Sequence, residues 1–125
     1  MKPMPPKVKK WIEALRSGKY QQVTGRLKRD GGFSCLGVLC EISQLGKWRF
    51  DNVTGDFSYC AGDSRSSGQL PEAVAKWAKL NSYRGTFPAG HRVVSLASLN
   101  DHGESFAEIA DIIEDQWEVL IDDSQ

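Results

Sequence analysis

Residues 35–46 read CLGVLCEISQLG, and this stretch decides the fold. Cys35, Leu36, Val38, Leu39, Cys40, Ile42 and Leu45 leave almost no polar side before Gly46. A helix that is apolar nearly all round has no face to give to water, so it belongs at the centre of a domain with other elements packed about it. Gly37 within it lets a second backbone come close, at a cost of about 1 kcal/mol of helix propensity against alanine.

The flanks supply what would surround such a helix. Upstream, Val8, Trp11, Ile12 and Leu15 recur at the spacing of one helical stripe, which predicts an amphipathic helix over about 6–17, after Pro5 and before Gly18. Between these helices Asp30-Gly31 is a strong hairpin-turn dipeptide, with 23–28 and 32–34 as short paired strands and Gly25 as a bulge or a close approach. On an alternating strand Arg26 and Lys28 would share a face. Downstream, Trp48 and Phe50 alternate on one arm and Phe57 and Tyr59 on the other, around the turn DNVTGD, which predicts a second hairpin over 47–60. AGDSRSSGQ (61–69) has a loop composition. LPEAVAKWAKLN (70–81) is a short helix with Ala73, Trp77 and Leu80 as its stripe and Val74 beside them. Residues 81–92 read as irregular, and VVSLASLN (93–100) fits a strand or a turn or two of helix equally well. Ser105 and Glu108 form a capping box, after which Phe106, Ile109, Ala110, Ile113 and Trp117 keep a helical stripe. The sum is one α+β domain over 1–125, with about three main helices and one or two antiparallel hairpins. Its expected core is Trp11, Leu15, Leu36, Leu39, Ile42, Trp77, Phe106, Ile109 and Ile113.

Composition sets the class. The 125 residues are 40% hydrophobic and 26% charged, a normal globular balance. No apolar run approaches the roughly 20 residues of a membrane span, and the basic start MKPMPPKVKK leads into no apolar stretch, so neither a membrane partner nor a secretory leader is expected. Three cysteines, 35, 40 and 60, suit reduced thiols in a cytosol. The formal net charge of zero conceals segregation. Residues 1–29 hold nine lysines and arginines against one glutamate, and residues 101–125 hold nine acids and no lysine or arginine. Either the two ends neutralise each other, within or between chains, or a basic face meets an anionic partner.

Four stretches together resemble a group of short accessory proteins encoded by tailed phages and prophages: WIEALRSGKYQQVTGRL (11–27), CLGVLCEI (35–42), LPEAVAKWAKL (70–80) and LNDHGESFAEIADIIE (99–114). They cover about half of the chain, in the expected order, and the hairpin over 47–60 looks like an insertion relative to shorter members. The resemblance implies action inside a bacterial cytosol. By analogy, small phage proteins of this type often counter host defences, some by soaking up nucleotide signals.

Candidate chemistry is sparse. Cys35 near a helix N-terminus could be a nucleophile with His91 or His102 and with Asp101 as orienter, but its apolar neighbours favour an inert buried thiol. Cys35 and Cys40, five residues apart on a helix, point to different sides, and no CxxC or HxxxH spacing occurs, so neither metal nor cofactor is expected. Asn100-Asp101-His102-Gly103 makes either turn hydrogen bonds or a polar pair presented for binding. LASLNDHG before SFAEIADIIE sounds like a helix-turn-helix, but the acidic DQWEVLIDDSQ that follows would be repelled by phosphate, so DNA is disfavoured. The basic segment Lys19–Arg29 remains, where guanidinium and ammonium groups could hold phosphate, amides a base edge and an aromatic ring a purine. Its cations could equally be paired with the acidic C-terminal helix. The expected ligand-binding set is Tyr20, Gln22, Arg26, Lys28, Asn100 and Asp101, for a small anionic, nucleotide-like ligand held without turnover by a homo-oligomer. A host protein is the alternative partner and a cysteine-dependent enzyme the alternative activity.

Overall fold

The computed structural model describes residues 3–122. Pro6 opens α1 (Pro6–Arg16), where a missing N–H costs nothing, and Val8, Trp11, Ile12 and Leu15 are buried as the periodicity predicts. The Trp11 indole donates to the Cys35 carbonyl at 2.9 Å, pinning this helix to the start of the central one.

The first hairpin is shorter than expected. β1 (Lys28–Arg29) pairs with β2 (Gly32–Phe33), Lys28 opposite Phe33 and Arg29 opposite Gly32. Asp30 and Gly31 both take positive φ, 49° and 85°, as a type I′ turn requires. Residues 23–27 are not a strand. Gly25 sits at φ 79°, which breaks the extended run, and no atom lies within 4 Å of where its Cβ would be. Its role is left-handed backbone and not close approach, and Arg26 and Lys28 therefore share no strand face.

The central helix is α2 (Cys35–Ser43), capped by the Ser34 hydroxyl, which accepts from the Gly37 amide at 3.1 Å. Every residue from Cys35 to Cys40 is buried, while Ile42 is only half-buried. The close approach inferred for Gly37 is real: a Cβ there would overlap the carbonyl of Leu27.

β3 (Lys47–Asp51) and β4 (Asp56–Ala61) form the second hairpin, with Trp48 opposite Tyr59 and Phe50 opposite Phe57. The loop expected at 61–69 contributes a third strand, β5 (Ser64–Ser66), paired with Tyr59–Ala61. α3 (Glu72–Ala78) buries Val74, Ala75 and Ala78, rotated from the expected stripe. Trp77 lies half-buried at the rim, where Lys7 reaches over it, its ammonium 4.6 Å from the ring and donating to the Trp77 carbonyl.

The region expected to be irregular holds a third hairpin, β6 (Thr86–Ala89) with β7 (Arg92–Ser95). VVSLASLN divides between both readings: strand to Ser95, whose hydroxyl then caps α4 (Leu96–Asp101). α5 (Phe106–Leu120) carries the complete capping box and buries Phe106, Ile109, Ala110, Ile113 and Trp117. The α+β class holds, with five helices in place of three and three small antiparallel sheets among the described residues. No described helix is long and apolar enough to cross a membrane.

Gly37 gives a test of sign. Helix propensity alone says that Gly37→Ala should stabilise by about 1 kcal/mol. Overlap with the Leu27 carbonyl reverses this, and urea unfolding should report a loss of about 2 kcal/mol.

Candidate functional site

Two helix N-termini and one loop meet at a pair of amides. Asn100 is fully buried. Its Oδ1 accepts from the Cys35 amide at 3.1 Å and from Gln22 Nε2 at 2.8 Å, and its Nδ2 donates to the Val23 carbonyl at 2.8 Å. Gln22 Nε2 also donates to the Glu104 carbonyl, and its Oε1 accepts from the Phe106 amide at 3.0 Å. The first amide of α2 and the first amide of α5 thus find acceptors on side chains far away in sequence. Asp101 accepts from the Gly25 amide at 2.7 Å. Gln22, Asn100 and Asp101, three of the six residues expected to bind ligand, are brought together, and their polar groups serve the frame.

The other three lie apart from that cluster. Arg26 Nε is 3.0 Å from Asp56 Oδ1 on β4. Lys28 sits in an aromatic box, its ammonium 5.1 Å from the Phe33 ring, 5.4 Å from Trp48 and 5.0 Å from Phe57. Ring quadrupoles hold it in place of a carboxylate. The acidic C-terminal helix takes neither cation. It takes Arg16 instead, whose Nη2 is 2.6 Å from Asp111 and 3.3 Å from Glu114. Hydrogen bonds to Glu114 and then Asp111 hold the guanidinium still more firmly protonated.

Tyr20 is half-buried, edge-on to Phe33 with centroids 5.5 Å apart, and Phe33 continues the row to Trp48 and Tyr59. Beside Tyr20 lies a hollow of about 360 Å³ between α1 and α2, lined by Lys10, Glu13, Ala14, Ser17, Lys19, Tyr20 and Ile42. Tyr20, Ile42 and Ala14 are its half-buried apolar floor. Lys10 and Lys19 at its rim make no ion pair among the described residues. Lys19 belongs to the basic segment expected to bind, but Lys10 was not legible as its companion, since only the packing of α1 on α2 puts them around one hollow. A larger hollow of about 650 Å³ lies against α3, lined by Glu72, Ala75, Lys76, Leu80, Asn81, Ser82 and Tyr83. Its one cation is committed, Lys76 to Glu72 at 2.9 Å, so it offers an anion less.

The thiols do not assemble a nucleophile. Cys35 is fully buried with Sγ 3.6 Å from the Leu96 carbonyl, and burial pushes its pKa up to about 12. Burial raises Cys40 too. His91 and His102 are exposed, and His102 Nδ1 lies 2.7 Å from the Ser98 carbonyl. Among the described residues no group of three His, Cys, Asp or Glu side chains is placed to hold a metal.

Three outcomes follow from this geometry. Asn100→Ala strands the Cys35 amide and the Val23 carbonyl and should cost about 3 kcal/mol in urea unfolding. A thiol reagent should label Cys60 in the folded chain and all three cysteines in denaturant. The folded thiols keep their protons to higher pH than unfolded ones. Stability should therefore be full below about pH 9, the ordinary thiol value, and fall as pH rises toward 12, as read by urea midpoints.

Residues 4–117 match the model of a family described as a domain of unknown function, DUF8296. No curated protein and no solved structure matches the chain. The matched span runs from the residue before the proline pair through Trp117 of α5, taking in the central helix, all three hairpins and the Asn100 frame, and on that extent the chain belongs to the DUF8296 family.

Proposed function

We propose that this chain is a phage-encoded accessory protein that holds a small anionic, nucleotide-like ligand in the hollow beside Tyr20 and does not turn it over. The observation that carries the reading is the pairing of an apolar floor with two cations, Lys10 and Lys19, that make no ion pair among the described residues, around one concavity. Phosphate would lie between the ammonium groups, and a planar base against Tyr20 and Ile42, which is the usual division of labour in a ligand pocket. Glu13 would accept from a sugar hydroxyl or an exocyclic amine. At about 360 Å³ the hollow lies at the small end of ligand pockets and suits one mononucleotide unit.

Binding without turnover fits the lining. Apart from Tyr20 the one hydroxyl there is Ser17, and it donates to the Ala14 carbonyl at 2.7 Å. The phage setting rests on the resemblance of the four stretches quoted above, and sequestration of a host nucleotide signal is the role that setting suggests.

Thermal unfolding in low salt, with a panel of mono-, di- and cyclic nucleotides at millimolar concentration, tests the reading. At least one should raise Tm, because a ligand of the native state stabilises it by about 2.7 kcal/mol at a hundred times Kd. Lys19→Glu and Lys10→Glu should each weaken that ligand roughly tenfold, while Lys76→Glu at the larger hollow should leave it unchanged. No shift across the panel would overturn the reading, as would loss through Lys76 and not Lys19.

A further inference from the structure

The three-stranded sheet has two unlike faces. Opposite residues in an antiparallel ladder share a face, and alternate residues along a strand return to it. One face carries Trp48, Phe50, Phe57 and Tyr59, with Tyr59 buried against the end of α2, where its hydroxyl accepts from the Gly46 amide at 2.8 Å. The other carries Lys47 opposite Cys60, Cys60 opposite Arg65, and Arg49 opposite Ser58. Lys47, Arg49 and Arg65 are all exposed. The two acids of that face are already engaged, Asp51 accepting from the Val53 amide at 2.8 Å and Asp56 from Arg26. Three cations on an outward face therefore have no ion pair among the described residues.

The complement lies elsewhere on the same chain. Glu108, Asp111, Asp115 and Glu118 follow one another at steps of three and four along α5, all exposed, opposite the face that buries Ile109, Ile113 and Trp117. Asp111 is held by Arg16, but Asp115 and Glu118 meet no cation among the described residues. Val119, 46% exposed, sits beside them. The fold keeps these two surfaces apart, since α5 packs against α1, α4 and β6, and the sheet against β1 and α3.

We infer that a second copy of this chain seats the Asp115–Glu118 segment of its α5 on the Lys47, Arg49 and Arg65 face of the first. Because the two surfaces are different patches, the contact is head-to-tail, and repetition closes into a ring or runs on as a chain. A net charge of zero leaves no overall repulsion to oppose it. The inference stands independently of the nucleotide reading, which concerns the hollow between α1 and α2.

Mass in solution, by native mass spectrometry and light scattering of the whole chain, tests it. The unaltered protein should be oligomeric in low salt and dissociate at molar salt, where the screening length falls to about 3 Å. Arg49→Glu with Arg65→Glu should weaken association on the order of a hundredfold, and so should Asp115→Lys with Glu118→Lys, since like charges then face each other. Mixing the two doubly reversed proteins should restore assembly, because each then offers the other an opposite charge; this recovery also shows that both are folded. A monomer in low salt, an oligomer indifferent to either reversal, or reversals that the mixture does not rescue would each overturn the inference.

Discussion

The fold hangs on the side-chain amide of Asn100. Helix α2 is buried so deeply that water cannot reach its first amide, and a buried donor without a partner costs about 1–3 kcal/mol. Asn100 supplies the acceptor for Cys35, and its own amino group finds the Val23 carbonyl. One residue thereby joins the central helix, the irregular segment before the first hairpin, and α4. Gln22 does the same for the start of α5 and is joined to Asn100 directly. A buried polar network of this kind is worth having only when complete, and no buried side-chain nitrogen or oxygen among the described residues lacks a partner.

With that frame in place the second layer becomes intelligible. The Gly37 position admits the Leu27 backbone, and Leu27 in turn donates to the Ser67 carbonyl beyond the last strand of the sheet. This brings the first hairpin against the second and lets Lys28 lie among Phe33, Trp48 and Phe57. The aromatic row that results runs out to Tyr20, whose ring forms part of the floor of the hollow. Frame, aromatic row and hollow thus form one sequence of contacts from the buried amide to the surface.

Charge is arranged by a different logic. The basic N-terminal segment and the acidic C-terminal one touch through Arg16, because α1 and α5 pack side by side. Of the other cations of the basic segment, Arg26 goes to Asp56 and Lys28 to the aromatic rings, while Lys10 and Lys19, like Lys47, Arg49 and Arg65 on the outer sheet face, make no ion pair among the described residues. That remainder is what makes an anionic ligand at Lys10 and Lys19, and a second copy at the outer sheet face, physically reasonable partners.

Much of this was legible residue by residue. The α1 stripe, the burial of α2, the Asp30-Gly31 turn, the Trp48–Phe50 and Phe57–Tyr59 alternation and the Ser105–Glu108 box are all local. Periodicity and capping act within one or two turns or one strand pair, so the chain itself specifies them. The failures were non-local. Ser64–Ser66 became a strand because β4 offered it an edge, and Arg26 left the expected strand face because Gly25 turned the backbone. Trp77 lies at the rim because α3 turns Val74, Ala75 and Ala78 inward. The partner of each cation was the least legible feature of all, since a charge is neutral as to sequence distance and meets whichever group the packing brings within a few ångströms. The sequence by itself determined the locally specified elements, α1, α2, α5 and the turns at Asp30-Gly31 and 51–56, and which helix is central. Only the tertiary structure decided which polar groups are consumed by the frame and which remain to meet something else.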